Sequence, residues 1–189
     1  VSYLPHFLSA VIVCGMIRTL TSVDGGLVNA IVTAFGGEAI PFLGQPEWFR
    51  SIYTISEVWQ SIGWESIVFI AAMMSIDKEL YEAAMVDGAG VLRRMVSITI
   101  PGIMPVITIM LILRVGSILN LGYEKVLLLY SPQIYSTADI ISTYVYREGV
   151  VNQNYSFAAA VNLFTSVISL ILVLGTNKIT KKMGQGGIW

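Results

Sequence analysis

The sequence predicts an all-α integral membrane protein, and three observations support this fold class. Hydrophobic residues make up 55% of the 189 positions and charged residues only 12%, whereas about 25% of the residues of a soluble domain are charged. The apolar residues are concentrated in four long stretches, and one charged segment separates the second stretch from the third. We therefore expect lipid to be the main solvent of this chain.

Each apolar stretch is long enough to cross a bilayer as a helix. A crossing of about 30 Å needs about 20 mostly apolar residues, because a helix rises about 1.5 Å per residue. The four predicted spans are residues 1–20, 52–76, 103–122 and 156–176. The last of them lies in a charge-free run from Gly149 to Asn177, whereas the second holds Glu57 and Glu65 and the third holds Arg114.

The two longer connections are predicted to contain short helices. Leu27 to Phe35 is apolar but too short to cross, so it is expected to lie at the membrane interface. A further short helix is predicted around Ala138 to Tyr146.

Lysine and arginine set the predicted orientation, because cytoplasmic segments carry an excess of them. One side of the predicted topology holds six of these residues near the spans: Lys78, Arg93, Arg94, Lys178, Lys181 and Lys182. The other side holds three: Arg50, Lys125 and Arg147. We therefore place the charged segment, residues 77–102, and the C-terminus in the cytoplasm.

Composition argues against several other classes of protein. The formal net charge of -1 gives no basic surface for nucleic acid. With one cysteine and one histidine, the chain offers neither a disulfide framework nor a Cys/His metal set. A membrane enzyme would need convergent titratable groups, and no paired acidic motif is present.

The charged segment is predicted to fold as helix, glycine turn, second helix and then membrane span. Lys78 to Val86 consists of good helix formers, Asp87 and Gly88 favour a turn, and Pro101 suits the start of the third helix. On physical grounds alone, a solvated loop whose arginines touch anionic headgroups fits equally well.

The spacing within this segment carries a resemblance. Glu82-Ala83-Ala84 is followed by Gly88, then Ile98, and then Ile100-Pro101. This pattern resembles the cytoplasmic loop of permease subunits in binding-protein-dependent ABC importers, with Ile100 in place of the usual leucine. Met95 stands where a large aromatic residue is common in the family.

The resemblance extends over nearly the whole chain. Leu4-Pro5-His6-Phe7, Gly26 to Asn29 and Trp59 are similar to carbohydrate permeases of the maltose-transporter type. Tyr3 to Phe7, Tyr144 to Arg147 and the terminal Ile188-Trp189 are most similar to permeases for complex oligosaccharides. The resemblance implies a type I ABC importer transmembrane domain, of which residues 1–189 are the C-terminal part. Since such domains usually have about six spans, two further spans are expected before residue 1.

The resemblance implies an ATP-driven oligosaccharide importer in the cell membrane. Its expected partners are a second permease subunit, two ATP-binding subunits and an extracytoplasmic solute-binding protein. No Walker motif occurs in this chain, so ATP and Mg²⁺ are expected on the ATPase and no cofactor on this chain. Import of an amino acid or phosphate, and an ATP-independent channel, are the alternatives. The residues implied to couple to the ATPase are Glu82, Ala83, Ala84, Asp87, Gly88, Arg93, Arg94 and Pro101.

A sugar path needs hydroxyl partners and ring faces, so polar and aromatic residues near the spans are candidates. Ser117, Asn120 and Glu124 follow i, i+3, i+7 spacing and are predicted to share a helix face. The full candidate set is Trp64, Ser117, Asn120, Tyr123, Glu124 and Asn162. The alternative is that these side chains hydrogen-bond neighbouring helices.

Glu65 and Arg114 are predicted to form an ion pair. Each lies eleven residues from the cytoplasmic end of its span, which puts both at a similar depth of about 16 Å. An ionised group at such a depth rarely faces lipid. The alternative is that either residue contacts substrate or a partner permease.

Overall fold

The computed structural model describes residues 2–120, 122–182 and 184, and every regular element in that part of the chain is helical. The all-α prediction is therefore confirmed for the described residues. The ten α-helices described are α1 Ala10–Leu20, α2 Leu27–Ala34, α3 Pro46–Met74, α4 Lys78–Val86, α5 Val91–Arg94, α6 Ile100–Ser117, α7 Tyr123–Leu129, α8 Tyr135–Ala138, α9 Ile141–Tyr146 and α10 Tyr155–Lys182. Two π turns, Met95–Thr99 and Arg147–Val151, follow α5 and α9. Ile188, Trp189 and the side chain of Asn120 lie outside the described part.

Two of the described helices are long and apolar enough to cross a membrane. The first is Val91–Ser117, 27 residues in which α5, the π turn Met95–Thr99 and α6 follow one another without a break. The second is α10, Tyr155–Lys182, with 28 residues. Helix α3 has 29 residues but carries four charged side chains, and α1 has only 11 residues, or about 16 Å of rise. These two helices overlap the predicted spans 103–122 and 156–176, and the bounds of all four spans remain predictions.

In the first predicted span, residues 1–20, the α-helix begins later than expected. Residues Leu4–Phe7 form a 3₁₀ turn around Pro5, and Leu8 is extended. Ser9 then caps α1, since its hydroxyl accepts a hydrogen bond from the Ile12 amide. The helix in residues 1–20 therefore begins only at Ala10.

The charged segment differs from its prediction after the glycine turn. Helix α4 and the turn at Gly88 form as expected, but residues Val91–Ser117 are one continuous helix. Helix α6 does begin with Pro101 in its first turn, as expected, but no break separates it from α5. The π turn accounts for the difference, because the Ile100 amide bonds back to the Met95 carbonyl and the wider turn accommodates a ring without an N–H.

The described chain divides into two compact units. Unit 1 is Val1–Trp64 with Asn120–Asn162, and unit 2 is Glu65–Leu119 with Leu163–Trp189. The core of unit 1 is a cluster of buried residues: Cys14, Phe49, Val126, Leu129, Ile134 and Ala138. In unit 2, α6 and α10 approach so closely that a Cβ at Gly116 would lie 2.7 Å from Val173 Cγ2.

Candidate coupling surface and candidate substrate residues

The end of α4 is shaped by one glycine. Gly88 has a φ of +73°, a left-handed conformation that side-chain-bearing residues rarely adopt. The Gly88 and Ala89 amides donate to the carbonyls of Met85 and Ala84, at 3.0 and 2.8 Å. The last carbonyls of α4 are thereby satisfied, and the chain turns sharply into α5.

The surface around this turn exposes apolar side chains. We call α4, the Asp87-Gly88 turn and α5 the coupling surface, residues 78–94. Val86 is 89% exposed, and Val91 and Leu92 are also exposed. Glu82 and Ala83 are exposed beside them, whereas Ala84 and Arg94 are partly buried. Adjacent exposed apolar side chains favour an interaction surface over a fully solvated loop.

Two contacts hold α4 and the residues before it against the N-terminal part of the helix Val91–Ser117. The hydroxyls of Tyr81 and Thr99 are hydrogen-bonded at 2.9 Å. A Cβ at Gly102 would lie 2.7 Å from Ile76 Cδ1, so the chain before α4 also packs closely on this helix. Sequence reasoning missed Tyr81 and Thr99, because no spacing rule links residues on two helices whose angle is unknown.

Glu65 and Arg114 are in contact in unit 2, through Oε1 of Glu65 and Nη2 of Arg114. Their side chains nevertheless remain 37% and 49% exposed. The described part of the chain thus brings the two residues together without enclosing them. A charged pair at membrane depth is expected to be covered by protein or by a water-filled cavity.

A second ion pair, in unit 1, was not predicted. Lys125 Nζ lies 2.6 Å from Glu57 Oε2, with side-chain exposures of 5% and 44%. The Lys125 carbonyl also accepts a weak hydrogen bond from the Cys14 thiol, at 3.9 Å. A carboxylate in an apolar stretch, Glu57, was the only sequence signal of a partner.

Two of the candidate substrate residues, Ser117 and Glu124, do not share a helix face. Helix α6 ends at Ser117, and α7 begins at Tyr123 after Gly122, whose φ is +71°. A Cβ at Gly122 would lie 1.7 Å from the Tyr53 hydroxyl oxygen, so glycine fits the bend. The expected common face of Ser117 and Glu124 is therefore wrong, because the helix it requires is interrupted, and the side chain of Asn120 lies outside the described residues.

Trp64 has one ring face already in contact with another side chain. The His6 ring stacks on it at 4.4 Å and 3°, and Tyr3 and Phe7 approach with their edges. These four side chains form an aromatic cluster within unit 1. That Trp64 stacks on a sugar stays a prediction. Because His6 covers one face of the Trp64 ring, a sugar could stack only on the opposite face.

Two candidate substrate residues do come together. Tyr123 and Asn162 line one cavity of about 320 Å³, with Tyr146 and Tyr155. Burial, together with the nearby Tyr146 phenol, raises the pKa of Tyr123 above the ordinary tyrosine value. The Tyr123 hydroxyl is therefore neutral at physiological pH and can donate and accept hydrogen bonds.

The short helices of the coupling surface and the two membrane-length helices are consistent with the protein family that the sequence matches. Residues 1–185 match the family described as "Binding-protein-dependent transport system inner membrane component". The chain belongs to this family. The match confirms the fold class of an ABC importer transmembrane domain that the Glu82 to Pro101 spacing implied.

Two Bacillus subtilis (strain 168) proteins illustrate the similarity to individual members of the family. The chain is 45% identical over 187 residues to the "Polygalacturonan/rhamnogalacturonan transport system permease protein YteP", covering 99% of this chain and 58% of that protein. It is 44% identical to "Protein LplB", again over 99% of this chain and 59% of the relative. The chain thus spans less than two thirds of the length of these relatives.

A solved structure is also similar. It is titled "Crystal structure of bacterial alginate ABC transporter in complex with alginate pentasaccharide-bound periplasmic protein", and it aligns with a TM-score of 0.95 and 45% identity. The alignment covers 98% of this chain and 65% of that chain.

Proposed function

We propose that this chain is part of the transmembrane permease subunit of an ATP-driven oligosaccharide importer. The observation that carries the proposal is the coupling surface, in which α4 ends at a left-handed Gly88 and both Val86 and Glu82 are exposed. The family match supports it, because the family comprises inner membrane components of binding-protein-dependent transport systems. Coupling to a separate ATPase runs through the Glu82 to Pro101 segment.

The proposed assembly contains a second permease subunit, two ATP-binding subunits and an extracytoplasmic solute-binding protein. ATP and Mg²⁺ bind the ATPase subunits, and this chain takes no catalytic role. The excess of lysine and arginine near the coupling surface and in the C-terminal tail supports a cytoplasmic position for both. The chain then lies in the cell membrane as a multi-pass protein.

The solute class rests on the relatives. One relative is named as a polygalacturonan/rhamnogalacturonan permease, and the similar structure is titled as an alginate transporter. Both names describe polysaccharide substrates, which supports an oligosaccharide over an amino acid or phosphate. A channel that works without ATP has no need of the exposed coupling surface.

The proposed coupling mechanism is a mechanical one. Closure of the ATPase pair displaces α4, and the Tyr81–Thr99 hydrogen bond with the Ile76–Gly102 contact transmits the displacement to the helix Val91–Ser117. The inward-facing and outward-facing states need differ by only a few kcal/mol for ATP and the loaded binding protein to shift their populations.

Site-directed cross-linking tests the docking step. Cys14 is the only cysteine and is buried, so Cys14→Ala leaves a background for introduced cysteines. Val86→Cys and Phe35→Cys form a matched pair, because the native residues are 89% and 90% exposed. In the complete transporter, a maleimide–benzophenone photo-cross-linker attached to the introduced thiol is expected to join Val86→Cys, but not Phe35→Cys, to the ATPase subunit. Equal cross-linking of both, or of neither, contradicts the proposed dock.

A further inference from the structure

Unit 1 contains a cavity whose wall is aromatic and polar. Its volume is about 320 Å³, and its polar lining comprises Tyr123, Ser142, Tyr146, Tyr155 and Asn162. The volume lies at the small end of the range for ligand pockets, about 300–1,000 Å³. The cavity therefore has room for a short segment of a ligand.

Helix packing fixes the shape of this cavity. The π turn after α9 runs so close to α10 that a Cβ at Gly149 would lie 2.5 Å from Ala158 Cβ. The Tyr123 and Tyr146 rings meet edge to face, with centroids 6.0 Å apart and an interplanar angle of 61°. The Tyr123 and Tyr146 rings thus contact each other, whereas Tyr155 is 66% exposed.

The lining chemistry suits a saccharide. Phenol and serine hydroxyls and a carboxamide both donate and accept hydrogen bonds, as sugar hydroxyls require. Tyrosine rings offer apolar faces against which the C–H face of a sugar ring can pack. Among the lining residues that the structure describes none is charged, so a saccharide in the cavity is bound through hydrogen bonds and ring faces.

A second cavity in the same unit serves as a contrast. It has a similar volume, about 300 Å³, but is lined almost entirely by aliphatic side chains such as Val13, Ile17 and Ile55. Such a wall suits an acyl chain and gives a sugar few hydrogen-bond partners. The difference in lining, and not in size, singles out the tyrosine-lined cavity.

We infer that the tyrosine-lined cavity is a saccharide subsite, which binds a short segment of the transported oligosaccharide through its hydroxyls and one ring face. The inference rests on the proposed function. The cavity lies beside the N-terminal end of α10, opposite the end that carries Lys178, Lys181 and Lys182. In the proposed orientation the subsite is on the extracytoplasmic side, where an oligosaccharide leaves the binding protein.

Import kinetics test the subsite in the complete transporter, reconstituted with its ATPase and binding protein. The probes are labelled trigalacturonate, an alginate trisaccharide and maltotriose. Tyr155→Ala removes an exposed ring, Tyr155→Phe keeps the ring, and Val150→Trp places a bulky side chain at the cavity wall. Phe164→Ala is the control, because Phe164 is a similarly exposed aromatic residue of α10 that does not line the cavity.

The subsite predicts a rise of about tenfold in KM for the imported probe with Tyr155→Ala and Val150→Trp. Tyr155→Phe should show a smaller rise, and Phe164→Ala should match the unmodified protein. If Tyr155→Ala and Val150→Trp keep the KM of the control while import proceeds, the subsite is refuted and the proposed function stands. If the unmodified transporter imports none of the three saccharides, the proposed function fails and the subsite fails with it.

Discussion

At the scale of single residues, Glu65 of α3 and Arg114 of α6 form an ion pair between two apolar helices. They contact each other within unit 2, yet more than a third of each side chain is exposed. Since charge is costly next to hydrocarbon, each partner depends on the other and on whatever covers the pair in the assembled transporter. Removing one charge leaves the other uncompensated.

We expect Glu65→Gln and Arg114→Gln each to destabilise the complete transporter by about 1–2 kcal/mol. The double variant should lose less than the sum, with a coupling energy of about 1 kcal/mol. The measurement is the thermal midpoint of the purified complex in detergent, with Glu38→Gln, at an exposed carboxylate after α2, as the control. Strictly additive losses would show that the pair contributes nothing.

A third charged pair, Arg147 with Asp139, lies in the connection between the two membrane-length helices. Arg147 Nη2 is 2.6 Å from Asp139 Oδ2, and the Thr143 hydroxyl donates to Oδ1 at 2.8 Å. Burial alone raises the pKa of Asp139, but the hydrogen bonds from Arg147 and Thr143 outweigh it and hold the pKa below the ordinary aspartate value. The same pair raises the pKa of Arg147. The Arg147 guanidinium also lies over the Tyr135 ring, 4.5 Å from its centroid.

This pair predicts a dependence of stability on pH. Because the folded-state pKa of Asp139 is depressed, its stabilisation is complete above the unfolded-state value, about 3.9, and is lost as the pH falls through the folded-state pKa. Asp139→Asn should therefore lower the thermal midpoint at neutral pH, by an amount equivalent to about 2 kcal/mol, and should flatten its fall in acid. Asp24→Asn, at an exposed aspartate, is the control. An unchanged acid profile for Asp139→Asn contradicts the role of this pair.

The two ion pairs of the apolar helices show what sequence alone can reach at this scale. Counting from the span ends pairs Glu65 with Arg114, because it puts both at one depth. It does not pair Glu57 with Lys125, because Lys125 falls in a predicted connecting loop. The bend at Gly122 returns α7 to the core of unit 1, and that return depends on packing against Tyr53, which no local pattern records.

At the scale of elements, the continuous helix Val91–Ser117 joins the coupling surface to the membrane. The sequence predicted α4 and the Gly88 turn, because helix propensity and glycine act locally. It did not predict continuity through Pro101, since the π turn at Met95–Thr99 that permits it has no residue signature. Helix α5 of the coupling surface is consequently continuous with a membrane-length helix, and the hydrogen bond between Tyr81 and Thr99 links α4 to that helix.

We expect that loss of the Tyr81–Thr99 hydrogen bond weakens the coupling of ATP hydrolysis to import more than it weakens assembly of the transporter. Tyr81→Phe and Thr99→Val each remove one hydrogen bond worth about 1 kcal/mol, so the saccharide imported per ATP should fall about threefold to fivefold. The double variant should be no worse than either single one, because both remove the same bond. Tyr3→Phe is the control. Import per ATP equal to the control in both single variants would remove the Tyr81–Thr99 bond from the mechanism.

At the scale of the whole molecule, the fold class followed from composition and the length of the apolar stretches, and the family followed from the spacing of Glu82, Gly88 and Pro101. The candidate substrate residues were harder to predict. Tyr123 and Asn162 line one cavity, but they are far apart in sequence and are joined only by the packing of α7, α9 and α10. A sugar path is made of ordinary hydroxyl and aromatic side chains, so its residues differ little in type from those that link helices.

The central claim is that the coupling surface converts ATP turnover into saccharide import. Proline cannot adopt the φ of +73° found at Gly88, whereas Gly90, with a φ of -65°, accepts alanine without strain. The most direct measurement is ATP turnover by the complete reconstituted transporter, with and without the oligosaccharide-loaded binding protein, for Gly88→Pro and Gly90→Ala complexes shown to be assembled. The loaded binding protein is expected to stimulate ATP turnover in the unmodified and Gly90→Ala transporters but not in the Gly88→Pro transporter. Equal stimulation in Gly88→Pro would contradict the central claim.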